Sequence, residues 1–124
     1  MLSANNAYAT LPVSDMQAAK KFYGETLELK NEGTDPSGMG VFYKTGNTKI
    51  MVYQSKYAGT NKGTAALWTV DDVDATVKWL KGKDVKFEHY DFPEVKKEGD
   101  VHIWGEMRAA WFKDPSGNIL GLNN

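Results

Sequence analysis

One pattern occurs twice in this chain, and it constrains the fold more than any other feature. The stretch "LPVSDMQAAKKF" at 11–22 lies over "WTVDDVDATVKW" at 68–79, pairing Val13 with Val70, Asp15 with Asp72, Ala18 with Ala75, Lys21 with Lys78 and Phe22 with Trp79, each 57 positions apart. In both copies a β-rich run meets a residue able to cap a helix (Ser14 or Asp15 in the first), and apolar side chains then recur at spacings of three and four. Later stretches repeat too, with "FYKT…KIMV" over "WFKD…NILG" at an offset of 69. Two copies of one supersecondary unit are therefore expected, each too small to bury its apolar face alone.

Within each copy the elements can be read in order. "AYATLPV" predicts a strand, and Ala19, Phe22, Tyr23 and Leu27 share one face of the helix that follows. "MGVFYKT" and "TKIMVYQ" flank Gly46-Asn47, the signature of a hairpin with a two-residue turn. In the second copy "TAALWTV" is a strand, Val73, Val77 and Leu80 face one way on a helix, and "VKFEHY" at 85–90 alternates as a strand should. Residues 91–106 read as one long loop, a feature that often covers a site. The closing "AAWFKDPSGNILGLNN" predicts strand, tight turn and strand, because Pro115 fixes φ, Asp114 can hydrogen-bond to the turn backbone and Gly117 can take positive φ.

Composition removes several function classes. Fifteen Lys and Arg against sixteen Asp and Glu give a net charge of −1 with the signs interleaved, so no basic stripe steers the chain to nucleic acid. There is no cysteine, hence no disulfide framework and no thiolate metal site, which fits a reducing cytoplasm. Neither a leader-like N-terminus nor an apolar run of about 18 residues is present, and a soluble cytoplasmic protein with no membrane partner is expected.

The helix-one phrase "LPVSDMQAAKKFYGETLEL" and the closing "WGEMRAAWFKDPSGNILGL" together resemble the vicinal oxygen chelate superfamily, which includes glyoxalase I, bleomycin-resistance proteins and extradiol dioxygenases. The resemblance covers Tyr8 to Leu122 and implies an α+β fold. Two βαβββ modules, about 6–56 and about 63–124, would form a curved mixed sheet around a central cleft, with a homodimer completing the site. Glu28 departs from the family phrase, standing where glycine is usual.

Metal enzymes of that superfamily take one His or Glu from each of four strands. Carried over, the four positions are Tyr8, Ala65, Gly121 and either Met51 or Val52. A first-row divalent ion needs imidazole, carboxylate or thiolate donors, and a phenol serves once at most. The resemblance therefore implies no metal site and no cofactor here. At the four usual metal-ligand positions the chain departs from the family pattern, which leans the expectation away from metal-dependent catalysis.

Aromatic residues make up 12% of the chain, enough to stack on a planar organic ligand as well as to build a core. If position 121 faces the cleft, a four-residue turn sets Phe112 opposite Ile119, Ala110 opposite Gly121 and Arg108 opposite Asn123, with Trp111 and Met107 toward the helices. Ala65 and Leu67 then line the cleft, and Trp68 points inward. The expected ligand-binding set is Tyr8, Thr10, Tyr43, Trp104, Glu106, Arg108 and Phe112, with Glu106 and His102 as acid–base candidates. Two functions follow. One is a metal-free dimeric protein that binds, and so sequesters, a small aromatic or amphiphilic compound; the other is an isomerase, lyase or glyoxalase-like enzyme with an atypical site.

Overall fold

The computed structural model describes residues 1–124 as two helices against two β-sheets. The first sheet holds β1 (Ala9–Val13), β2 (Lys30–Thr34), β3 (Gly40–Thr45) and β4 (Thr48–Gln54) in the order β1-β4-β3-β2. Helix α1 (Met16–Lys21) leads into a π-helical turn at Phe22–Thr26 and connects β1 to β2. The second sheet repeats this with β5 (Thr64–Thr69), α2 (Val73–Lys81), β6 (Phe87–Glu88), β7 (Lys96–Glu98), β8 (Val101–Trp104), β9 (Met107–Lys113) and β10 (Ile119–Asn123). Its strand order is β5-β10-β9-β8-β7, with β6 also on β9. In each sheet the strand before the helix pairs in parallel with the last strand of the unit, which is the expected α+β arrangement of two βαβββ units. No helix is long and apolar enough to cross a membrane.

Local chemistry explains the helix starts. Of the two candidates for the first cap, Asp15 serves, accepting from the amides of Gln17 and Ala18, and Asp72 does the same for Ala75 in the second unit. After α1 the chain turns through Glu28 at φ 58, the left-handed conformation that glycine would take without strain. Its carboxylate is held 2.6 Å from Lys83 Nζ, and that ammonium also donates to the carbonyls of Glu25 and Thr26. A cross-unit contact thus supports the residue that replaces glycine.

Helices and sheets share one core. Leu11, Val13, Tyr43, Ile50 and Val52 from the first sheet pack with Ala110, Phe112, Leu120 and Leu122 from the second, beneath Phe22, Tyr23, Val73, Val77 and Leu80. Since side chains alternate across a strand, the opposite, open face of each sheet carries the intervening residues. These open faces are where a ligand can reach.

The second unit contains one element that the sequence did not disclose. Residues 91–106 are not a single loop, because Lys96, Lys97 and Glu98 pair with Ile103, His102 and Val101 around a turn at Gly99, where φ is 61. Both β6 and β8 lie antiparallel to β9, against Trp111–Phe112 and Met107–Ala109 respectively. The excursion between them interrupts what is otherwise one strand beside β9. It carries Tyr90 and Phe92 over the open face.

Candidate functional site

Register decides which side chains this open face presents. Asp114 N–H donates to the Asn118 carbonyl at 3.0 Å, so the closing turn has three residues between its closing pair rather than four. Lys113 therefore stands opposite Ile119, Phe112 opposite Leu120 and Trp111 opposite Gly121. A shift of one residue turns every side chain of β9 to the other face. Phe112, expected in the cleft, is 1% exposed in the core beside Phe22 and Phe87. Trp111 takes its place on the open face.

Arg108 and Tyr43 are corrected for the same reason. Arg108 points to the helix side, where its guanidinium grips Asp74 of α2 through two hydrogen bonds of 2.8 and 2.9 Å. Tyr43 is 1% exposed and packs 6.0 Å from the Tyr23 ring, while its neighbour Phe42 occupies the open face. Between the two alternatives on β4, Met51 is the open-face residue, paired with Thr10 and Phe42, and Val52 is buried in the core. Leu67 and Trp68 fall on the sides expected of them, with Leu67 paired to Gly121 and Trp68 to Leu122.

Tyr8 and Thr10 are on the open face of the first sheet. The Tyr8 ring meets Phe42 edge-on at 5.6 Å, and Lys49 Nζ lies over both rings, 5.1 Å from one centroid and 4.3 Å from the other. On the second sheet His102, paired with Ala109, projects toward Trp111 at a ring separation of 4.9 Å. Tyr90 and Phe92 from the excursion close over the pair, 5.6 and 5.8 Å from the Trp111 ring. Trp104 stands on the rim of the hollow of about 720 Å³ that Phe92, Val95, Trp104 and Trp111 line. Of these side chains, Phe42, Tyr90, Phe92 and Trp111 were not picked out from the sequence as site residues. Counting Asp114 and Asn118 as the closing pair of the turn would have found Trp111.

His102 is fully buried, and Tyr90 N–H donates to its Nε2 at 2.9 Å. Desolvation by burial holds its pKa below the ordinary histidine value, and an Nε2 that accepts a hydrogen bond must offer a lone pair, which also favours the neutral ring. Its Nδ1, like the Tyr90 hydroxyl, is buried without a hydrogen-bond partner. Burial also raises the Tyr90 pKa, helped by the nearby Glu88 charge. Glu106, by contrast, lies exposed in the β8–β9 turn, where its carbonyl accepts from the Asn124 side chain. The two acid–base candidates are not brought together.

Nowhere in the chain do three His, Asp or Glu side chains converge closely enough to hold an ion. At Gly121, where a carboxylate would stand, an added Cβ would meet Leu67 Cδ1 at 2.7 Å and the Trp111 indole at 3.1 Å. Leu67 and Trp111 fill the space beside Gly121.

Comparison with known proteins agrees with this architecture. The model of the Glyoxalase/Bleomycin resistance protein/Dioxygenase superfamily matches residues 6–122. A glyoxalase family protein from Enterococcus faecalis superposes with a TM-score of 0.73 at 18% identity, covering 100% of both chains. A glyoxalase/bleomycin resistance protein from Streptomyces sp. CB03234 is 30% identical, with a TM-score of 0.64 over 97% of this chain and 100% of that one. TnmS3, an antibiotic binding protein from the same organism, is 29% identical, with a TM-score of 0.66 over 97% and 96%. No functionally curated protein matches the sequence. With its paired βαβββ units and a family match spanning nearly the whole chain, this protein belongs to the glyoxalase/bleomycin resistance/dioxygenase superfamily.

Proposed function

We propose that this protein binds a small aromatic organic compound on its open face without a metal ion, as a cytoplasmic homodimer, and acts by holding that ligand. The observation that carries the reading is at Gly121, where an indole and a leucine occupy the space a metal-binding carboxylate needs. What remains around Trp111 is a wide hollow walled by Phe92, Val95 and Trp104, with a large stacking area and no convergent acid–base pair. The likeness to an antibiotic binding protein at 29% identity supports sequestration of an antibiotic-like compound over turnover. Homodimerisation is supported by the side chains left uncovered. Tyr8, Leu67, Phe92, Trp104 and Met107 are all more than a third exposed and lie on or beside the open faces, an apolar patch that a second copy would cover.

The test is a titration of chelator-treated protein with 2-naphthamide, a neutral planar probe, followed by tryptophan fluorescence. Quenching that saturates, and that weakens about tenfold in Trp111→Ala, is expected, since a stacked ring contributes on the order of 1 kcal/mol or more. Sedimentation analysis of the same sample should give the dimer mass. Thermal stabilisation by one divalent ion, abolished by Tyr8→Phe, would overturn the reading.

A further inference from the structure

Three lysines stand in a row on the open face of the first sheet. Lys30 of β2 is paired with Lys44 of β3, and Lys44 is paired in turn with Lys49 of β4. Directly paired residues on neighbouring strands project from the same face, with strands about 4.8 Å apart. Like charges placed this way destabilise a sheet. Twice in succession, the sheet carries that penalty.

No carboxylate within the chain forms an ion pair with any of the three. Every ion pair is made by other cations, namely Lys81, Lys83, His89, Lys97, Arg108 and Lys113. Lys49 lies over the rings of Tyr8 and Phe42 instead of meeting a carboxylate. Lys44 and Lys49 line a hollow of about 340 Å³ with Tyr8, Asn47 and Thr48, and Glu32 is the only acid on its wall. This local excess of positive charge occurs in a chain whose net charge is −1. No ion pair accounts for the row, so the cost points to a ligand.

We infer that the row is an anion site and that the natural ligand is an aromatic compound bearing an acidic group, such as a carboxylate, whose charge meets Lys44 and Lys49 on the first sheet. Lys30 extends the positive field at the outer edge. The row stops after three residues, which matches one or two anionic groups and not a polymer backbone. This inference rests on the binding reading above and names the ligand class.

The test compares 2-naphthoate with its neutral isostere 2-naphthamide by NMR chemical-shift titration of the dimer at low salt. Naphthoate is expected to bind about tenfold more tightly, with the advantage shrinking in 0.5 M salt as screening shortens the reach of the charges. Lys44→Gln and Lys49→Gln should each remove most of that preference, and Glu32→Gln should increase it. Lys44→Gln should also leave the melting temperature unchanged or higher, because it relieves repulsion; a lysine with a structural role would lower it. Equal affinity for the two probes would overturn the anion site and leave aromatic binding intact. Naphthoate binding that depends on Lys44 but not on Trp111 would keep the anion site and sink the role of the Trp111 hollow. Absence of binding by either probe would overturn both, and tighter, steeply salt-dependent binding of a short oligonucleotide would overturn the small-ligand assignment.

Discussion

The Tyr23 hydroxyl donates to Asp114 Oδ2 at 2.7 Å in the interior, joining residues 91 positions apart. Asp114 also accepts from the Ser116 and Asn118 amides and from the Asn118 side chain, and that side chain reaches on to the Pro12 carbonyl. The motif at the closing turn is thus a clamp between the two units. Burial and the Asp114 charge push the Tyr23 pKa far above the ordinary phenol range, so the hydroxyl keeps its proton and remains a donor. Tyr23→Phe should cost about 2 kcal/mol, the range for a hydrogen bond to a charged acceptor, measured by urea unfolding. An unchanged midpoint would mean that the clamp is held by Asn118 alone.

The same turn is touched from the connection between β4 and β5. Gly59 has a φ of 72, and a Cβ there would stand 2.1 Å from the Ser116 carbonyl oxygen. Neither the conformation nor the space suits alanine. Gly59→Ala should destabilise by at least about 2 kcal/mol, combining left-handed strain with a backbone clash. A change of under about 0.5 kcal/mol would show that the connection can move off the turn.

His102 makes stability depend on pH in a predictable direction. Its folded pKa lies below the unfolded value of about 6.5, so as pH falls below 6.5 the unfolded chain takes up a proton that the folded protein refuses. Stability contributed by the neutral ring is full above that value and is lost progressively as pH drops toward the folded pKa. Urea midpoints at pH 7, 6 and 5 should fall in that order, and His102→Asn should flatten the decline. A parallel decline in the variant would assign it to other groups, such as the ion-paired Asp100, whose pKa the Lys81 and His89 contacts lower.

Arg108 and Trp111 separate stability from binding. Arg108→Ala removes a bidentate contact to Asp74 at a partly exposed site and should lower the urea midpoint only slightly, with 2-naphthamide affinity unchanged. Trp111→Ala should do the reverse in emphasis, weakening the probe about tenfold. If Arg108→Ala also abolished binding, Arg108 would have to face the ligand, and the orientation that the strand register gives β9 would be wrong.

Some of this was legible in the residues and some was not, for identifiable reasons. Caps such as Asp15 and Asp72, the Gly46-Asn47 turn and the repeat itself are local, so the chain advertises them. The β7–β8 hairpin hides because Lys96–Glu98 is wholly polar and exposed, with no apolar alternation to mark a strand. Errors at the site came from parity: one residue in the turn at 114–118 exchanged Phe112 for Trp111, and the repeat, which lays Tyr43 over Phe112 and Phe42 over Trp111, carried the same exchange into β3.

By itself the sequence determined the duplicated units and the superfamily, and that neither His nor Glu stands at Tyr8, Ala65, Gly121 or either Met51 or Val52. Each depends on residue type or on spacing within one unit. Only the tertiary structure decided that Trp111 and Leu67 fill the space beside Gly121, that Tyr90 and Phe92 cover His102, and that Lys30, Lys44 and Lys49 share a row. Those relationships depend on strand register, which hydrogen bonds between distant segments set, and period-two alternation turns a slip of one residue into the opposite face.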